Sequence, residues 1–395
     1  MISFRFKGRA PGFSTGKVVA LTIFLFLFGC KDPFLADVKL LTSNFLVVEG
    51  YINVGANAVT TIRVSRTVPI NSTQEYAEVE EDAVIQIQDD QDEFYDLSEG
   101  EEGVYSSEPL SLSLDRQYRI RIETSDGKRF YSDYTTPIQS PAIDSVYWTR
   151  DAEGVTIKVD THDPIQSTLF YQWNYEEDWE NKSPYLSFYR YSNGDFFPRE
   201  DAEIIAMHLC WRHAKPLKLI TQSVAGLSVE NVSQILAKIK AGSDRLSEKY
   251  SILVQQHALS LDHYNYFQVM NKNTNQVGTF YDPQPSQLLG NISRENSSEP
   301  VVGYIGAYTT SSERLNIRKS DVSPWGFDLD CEQVAVLMSN PDSVAKYFVE
   351  QGFLPLTVDE GRINMFAAKP ICGDCHERGG NNDKPDFWDA IFEND

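Results

Sequence analysis

From Phe45 onward the chain alternates apolar and polar residues with period two, and this alternation narrows its fold more than any other feature. "FLVVEGYI", "AVTTIRVSR", "DAVIQIQD", "GVYSS" and "YRIRIETSDGKRFYS" are rich in Val, Ile and Tyr. Such a pattern puts one set of side chains in a core and the other in water, as in a half-buried strand. Asp126-Gly127 stands between two of these runs, and glycine's tolerance of positive φ makes the pair a hairpin signal. Short strands separated by turns such as "SEGEEG" predict a small β-sandwich over residues 45–140, ending near Pro137 to Pro141. A second β-rich domain, 141–395, begins with the hairpin "DSVYWTR-DAEG-VTIKVD" and carries inserted α-helices. Ser228 is placed to cap a helix over "VENVSQILAKIKAG", with Val229, Val232, Ile235, Leu236 and Ile239 as its stripe and Gly242 as its stop. Ser260 caps "LDHYNYFQVMNKN", and Asn340 before Pro341 opens "DSVAKYFVEQ", which Gly352 closes. Phe387, Trp388, Ile391 and Phe392 form a last short amphipathic turn. The fold class expected is therefore mainly β, with helices confined to the second domain.

The first 29 residues are of another kind. Arg5, Lys7, Arg9 and Lys17 precede an apolar run from Val18 to Phe28 that only Thr22 interrupts, and Gly29-Cys30 follows. A positive start, a short greasy stretch and a small residue describe an export signal, and the run is short of the roughly 20 residues that span a bilayer. Leu27-Phe28-Gly29-Cys30 resembles the bacterial lipobox. That resemblance implies a signal peptide over 1–29, an acyl chain such as palmitate on Cys30, and a tether over 30–44. With the four leader cations removed, 31 basic and 57 acidic side chains remain, a net charge of −26. So acidic a body is a poor partner for nucleic acid or anionic headgroups, which require basic patches.

Four cysteines remain: Cys210, Cys331, Cys372 and Cys375. An even number in an exported chain favours disulfides, with three connectivities open. The pairing expected is Cys372 with Cys375 locally and Cys210 with Cys331 across a long loop. "CGDCH" is also the spelling of c-type haem attachment, but nothing else in the chain supplies a haem pocket, and no second cysteine pair suggests zinc. No cofactor and no metal is expected. Catalytic signatures are likewise missing from the sequence: it holds no zinc-protease helix, no nucleophile elbow and no phosphate loop. Among 57 acids a carboxylate pair can occur unmarked. The acidic stretch Glu75 to Glu93 lacks calcium-loop spacing and is expected to be a solvated strand edge. The aromatic concentration from Phe170 to Phe197 offers candidate ligand contacts at Tyr171, Trp173, Tyr175 and Trp179, although large rings alternating on a strand more often face a core.

Several stretches together, "LLTSNFLVVEGYIN", "SILVQQHALSLDHYNYFQVMNKNTNQVGTFYDPQPSQLLGNI" and "CGDCHERGGNNDKPDFW", resemble the Bacteroidota outer-membrane lipoproteins of domain-of-unknown-function family 4249. The resemblance covers essentially the whole mature chain, with His376 standing where arginine is expected. It implies an immunoglobulin-like N-terminal domain and the company of TonB-dependent transporters, and it implies no established activity. The expectation is a non-enzymatic lipoprotein serving as an accessory or binding subunit of such a transporter or another outer-membrane assembly. The alternatives are a stand-alone surface receptor for glycan or peptide, and an envelope hydrolase.

Overall fold

The computed structural model describes residues 44–68, 78–226, 231–275 and 290–392. The signal peptide expected over 1–29, the expected lipid site Cys30 and tether up to residue 43, and the expected helix cap Ser228 lie outside the described residues. From Asn44 on, the chain is one compact unit, mainly β, built from several antiparallel sheets.

The N-terminal strands hydrogen-bond into a single sheet. Its order is Leu46–Gly50, Thr61–Arg66, Val104–Ser107, Phe94–Glu99, Val84–Asp89, Tyr118–Glu123, Arg129–Ser132 and Ile292–Arg294. The last strand comes from far along the chain. Beyond it, Val302 bonds the opposite edge, with its N–H to Leu46 O at 2.9 Å and its carbonyl accepting from Val48 N at 2.8 Å. A flat sheet would separate these two attachments by about 38 Å at about 4.8 Å per strand, whereas the eight residue steps from Arg294 to Val302 reach about 27 Å. The sheet must therefore curl until its edges meet. They meet at two glycines, where a Cβ on Gly290 would lie 1.5 Å from Gly303 O. One core fills the inside, including Val48, Ile62, Ile87, Tyr105, Ile120, Phe130 and, from the returning segment, Ile292 and Ile305. Gly303 has φ +144°, and a Cβ there would stand 2.3 Å from Val48 O. Gly303→Ala is expected to cost at least about 3 kcal/mol, since strain and a backbone clash add. Chemical denaturation measures it, and a loss below about 1 kcal/mol would mean that the edges do not close here.

The acidic stretch is only partly the solvated edge expected of it. Asp89 is fully buried: its carboxylate accepts from the backbone N–H of Gln91 and Glu93, both at 2.9 Å, and pairs with Arg116. Glu80 is buried against Arg66 at 2.6 Å. Local turn-making and one arginine each offset the desolvation that would otherwise keep these acids in water.

In the second half, the long strand Phe170–Lys182 is flanked on one side by Leu209–Ala214 and Ile220–Ser223, and on the other by Lys249–Ala258 and then Ser311–Arg318. A three-stranded sheet of Ile143–Arg150, Gly154–Thr161 and Val232–Lys240 shares a core with it. The helix expected over 229–242 is thus a strand. The pairing shows why the sequence misleads. Ile157 faces Ala237 and Lys158 faces Ile235, so Leu236 is an extra residue at a bulge. A bulge shifts the alternation by one position, turning a period of two into apolar spacings of three and four that mimic a helix. The consequence is visible in Ile235, which the helical stripe would bury and which is 41% exposed, while Leu236 is sealed in the core.

The other expected helices form. Leu261–Asn275 is the longest, and Trp388–Phe392 closes the described chain. Asn340 caps Pro341–Val344 by accepting from Asp342 N at 3.1 Å and Ser343 N at 3.3 Å, and Gly352 follows the next turn with φ +63°. One further helix, Asp201–His208, was not anticipated. A small satellite core, including Val336, Phe348 and Met365, gathers Val334–Leu337, Asn364–Ala368 and Leu354–Val358 with the hairpin Tyr189–Ser192 and Asp195–Pro198.

Candidate binding surface

The four aromatic residues singled out by the sequence are core. Tyr171, Trp173, Tyr175 and Trp179 are between 0% and 8% exposed and pack between the two sheets of the second half. Trp173 donates its indole N–H to Gln256 Oε1 at 2.8 Å, and Trp179 lies beneath the guanidinium groups of Arg212 and Arg245. Their strand is covered along both faces, so alternation there marks burial rather than a ligand platform.

The same strand carries a buried charge network. Glu177 is fully buried, accepts from Tyr250 Oη at 2.7 Å, and is bound by Arg245 through both carboxylate oxygens at 3.0 Å. On the opposite face, Asp178 meets His213 at 2.9 Å, and Glu180 meets Lys182 at 3.1 Å and the Trp388 indole at 3.2 Å. Arg314 stacks on Phe387 with 3.7 Å to the ring centre. The C-terminal turn therefore caps this acidic row, and each of its carboxylates has a basic side chain within 3.1 Å. Such pairing compensates charges that would otherwise be costly to bury.

All four cysteines form disulfides, but not in the expected pairs. Cys210 bonds Cys375, and Cys331 bonds Cys372. Backbone pairing decides this. Asn381 and Trp211 exchange N–H···O bonds of 2.8 and 2.9 Å, which lays the terminal segment along the strand holding Cys210. Tyr185 takes the other pair, donating its hydroxyl to Cys331 O at 2.7 Å and its N–H to Cys372 O at 3.0 Å. Between the two cysteines Asp374 is extended, with φ −136° and ψ 115°, so they leave the segment for different neighbours. Cys210, Cys375 and His376 bring their ligand atoms within 4.8 Å of one another, the one such grouping among the described residues, yet the two sulfurs are bonded together. Both sulfurs of "CGDCH" are committed to other cysteines, which is not a thioether arrangement.

The exposed aromatic residues lie further along the same concentration. Asn193-Gly194 turns the hairpin with both residues at positive φ, 52° and 94°. Arg190 pairs with Phe197 and Tyr191 with Phe196, so the two faces are defined. Tyr189, Tyr191 and Phe196 point into the satellite core. Leu186, Phe188 and Phe197 lie on the outer side, 38%, 41% and 43% exposed. Phe188 N donates to Leu356 O at 2.8 Å, and Ser187 Oγ donates to Pro355 O at 2.7 Å, fixing the hairpin to the satellite sheet. The missed signal is the Asn-Gly turn between alternating runs, "FYRYSNGDFF". A separate open groove of about 560 Å³, lined mainly by Pro137 to Ala142, Asp163 to Thr168 and Leu259, lies where the two halves join. Its one carboxylate, Asp163, is consumed by local donors, among them Thr168 N at 2.7 Å and Ser167 N at 2.9 Å.

No curated protein matches this chain. Among solved structures, it is similar to a DUF4785 family protein from Legionella pneumophila at 11% identity, covering 53% of this chain and about half (51%) of that one, with a TM-score of 0.19. A structure of manganese lipoxygenase of Gaeumannomyces graminis with part of zonadhesin of Komagataella pastoris matches at 7% identity, covering 69% and 86%, also with a TM-score of 0.19. Likeness this slight carries no argument about fold or activity. The model of a domain of unknown function, DUF4249, matches residues 31–314, and the chain belongs to that family.

Proposed function

We propose that this protein is a non-enzymatic outer-membrane lipoprotein, tied to the bilayer through Cys30, that serves as an accessory or binding subunit of a TonB-dependent transporter or another outer-membrane assembly. The observation that carries this reading is the outer face of the hairpin, where Leu186, Phe188 and Phe197 stand in water on a rigid, sheet-bound support. Half-exposed aromatics on a fixed scaffold provide large contact area at low entropic cost, as interface anchors do. The tether argues for the partner. The fourteen residue steps from Cys30 to Asn44 extend at most about 50 Å, so the body stays near the membrane and meets its residents at high effective concentration. The immunoglobulin-like plan implied for residues 45–140 is not carried into this proposal, since it needs two packed sheets and these strands bond into one sheet completed by Ile292–Arg294.

The receptor alternative draws on the aromatic stretch Phe170 to Phe197; burial of Tyr171, Trp173, Tyr175 and Trp179 leaves it only Phe188 and Phe197, the same rings assigned here to a protein partner. The hydrolase alternative rests on an unmarked carboxylate pair among the chain's 57 acids, and the acidic row Glu177, Asp178 and Glu180 does not supply it, each being engaged by a basic side chain. The test is a pull-down in mild detergent. Wild type is expected to bring down a stoichiometric outer-membrane protein, and Phe188→Ser with Phe197→Ser to lose it. That variant's stability should change by less than about 1 kcal/mol, because neither ring is in a core. Retention of the partner by the variant would remove this face from the proposal. A wild type that elutes alone would remove the partner.

A further inference from the structure

We propose that Cys331 is an entry site for thiol–disulfide exchange, and that Cys372 relays the attack to the Cys210–Cys375 bond. Three observations meet here. The first is access. Cys210 and Cys375 are fully buried and Cys372 is 2% exposed, whereas Cys331 is half-buried in a loop between the exposed Asp330 and Glu332. An external thiolate can reach only Cys331, and exchange needs contact with the sulfur attacked.

The second observation is connectivity. Each cysteine of the Cys372-Gly-Asp-Cys375 segment is bonded elsewhere, Cys372 to Cys331 and Cys375 to Cys210. A thiolate attacking Cys331 Sγ forms a mixed disulfide there and expels Cys372 as a thiolate. Two residues separate that thiolate from Cys375, the spacing of Cys-X-X-Cys pairs, and rotation of the extended Asp374, once Cys372 is released, is the movement that brings the two sulfurs into contact. Its attack on Cys375 Sγ makes Cys372–Cys375 and expels Cys210 as a thiolate. Two disulfides become two other disulfides, one external thiol is consumed, and one protein thiol appears at Cys210.

The third observation is the leaving group's surroundings. His376 has Nδ1 at 2.6 Å from Asp374 Oδ1 and Nε2 at 3.0 Å from Asn382 Oδ1. Asn382 spends its amide N–H groups on Ala206 O and Leu209 O, so its Oδ1 can only accept, and both imidazole nitrogens therefore donate. Burial opposes that charge, but the bonds to Asp374 and Asn382 outweigh it and raise the pKa above the usual imidazole value. An imidazolium within 4.8 Å of the Cys210 sulfur stabilises the departing thiolate and can protonate it.

The loop also selects the thiol. Asp328, Asp330 and Glu332 surround Cys331 with negative charge. Cationic thiols are therefore favoured over anionic ones, with a preference that salt weakens.

The experiment treats the full protein, without denaturant, with cysteamine, 2-mercaptoethanol or glutathione. Samples are quenched in acid, alkylated and mapped by mass spectrometry. The first modified species is expected to carry the small thiol on Cys331, a Cys372–Cys375 bond and an alkylated Cys210. Rates divided by each reagent's thiolate concentration should fall from cysteamine to mercaptoethanol to glutathione, with the differences shrinking in high salt. Opening of Cys210–Cys375 while Cys331–Cys372 stays intact would overturn the relay, as would a modified Cys331 with no Cys372–Cys375 product, or no reaction at all. A second arm uses Cys331→Ala, in which Cys372 starts as a thiol. The expected product is Cys372–Cys375 with Cys210 alkylated, and persistence of Cys210–Cys375 beside a free Cys372 would refute the proposal. Should that variant not fold, the mapping of the native protein decides alone.

Discussion

Protein carrying Cys210→Ala together with Cys375→Ala is expected to be about 5 kcal/mol less stable than the parent. The bond spans 165 residues, and closing so long a loop in the unfolded chain removes about that much free energy in the chain-entropy model. The Cys331–Cys372 bond spans 41 residues, and its removal should cost about 4 kcal/mol. Equilibrium unfolding in guanidinium without reductant measures both. A cross-combination separates this connectivity from the local pairing suggested by "CGDC". Cys372→Ala with Cys375→Ala breaks both long loops here, whereas under local pairing it would open only a tiny ring and cost little. A loss below about 1 kcal/mol for that variant would therefore contradict the connectivity. Alanine is preferred to serine, since a hydroxyl at these buried sulfur positions would add an unpaired polar group.

Stability is also expected to fall steeply on mild acidification, because two histidines are held neutral in one aromatic cluster. His257 is fully buried, with Nδ1 at 3.0 Å from Gln172 Oε1 and Nε2 at 3.1 Å from Thr310 Oγ1, and burial pushes its pKa down to about 3. His263 is 2% exposed beside Tyr304 and Phe267, and burial, with His257 adding to it, brings its pKa to about 3 as well. The unfolded chain binds these protons below about pH 6.5, while the folded chain refuses them until about pH 3. The stabilisation is complete above the unfolded value and is lost as pH falls through this window. Each histidine contributes about 1.4 kcal/mol per pH unit, so the pair contributes about 4 kcal/mol between neutrality and pH 5. Unfolding free energies at pH 7.5 and 5.0 give the slope directly. His257→Gln and His263→Phe should each flatten it by about one proton, and an unchanged slope in both would show that neither site excludes the proton.

These two predictions use parts of the molecule that the sequence displays to very different degrees. Strand identity was legible wherever one face met a core and the other met water, as in Tyr118–Glu123 with its strict alternation of buried and half-buried residues. Caps were legible too, since Asn340 and Gly352 act through bonds to their own neighbours. The strand Val232–Lys240 was not, because a single extra residue at Leu236 rewrote its period, and the bulge exists only opposite Ile157 and Lys158. The aromatic stretch was recognised as a unit, but its split into core and surface was hidden. Burial of Tyr171 and Trp173 depends on a second sheet supplied from residues 143 to 240, while exposure of Phe188 and Phe197 follows from the register around Asn193-Gly194.

By itself the sequence determined what local chemistry can determine: the strand-rich class, the helices opened by Ser260 and Asn340, the presence of four cysteines fit for two bonds, and the hydrophobic side of each regular strand. Only the tertiary structure decided which cysteines pair, since Trp211 with Asn381 and Tyr185 with Cys331 and Cys372 join positions far apart in the chain. It alone closed the N-terminal sheet, because the strand Ile292–Arg294 and the edge contact at Val302 come from beyond the second half's central strands. The physical reason is the same in each case. Period, capping and turn preference act over a few residues, whereas pairing across a sheet edge is fixed by which surfaces are left when everything else has packed.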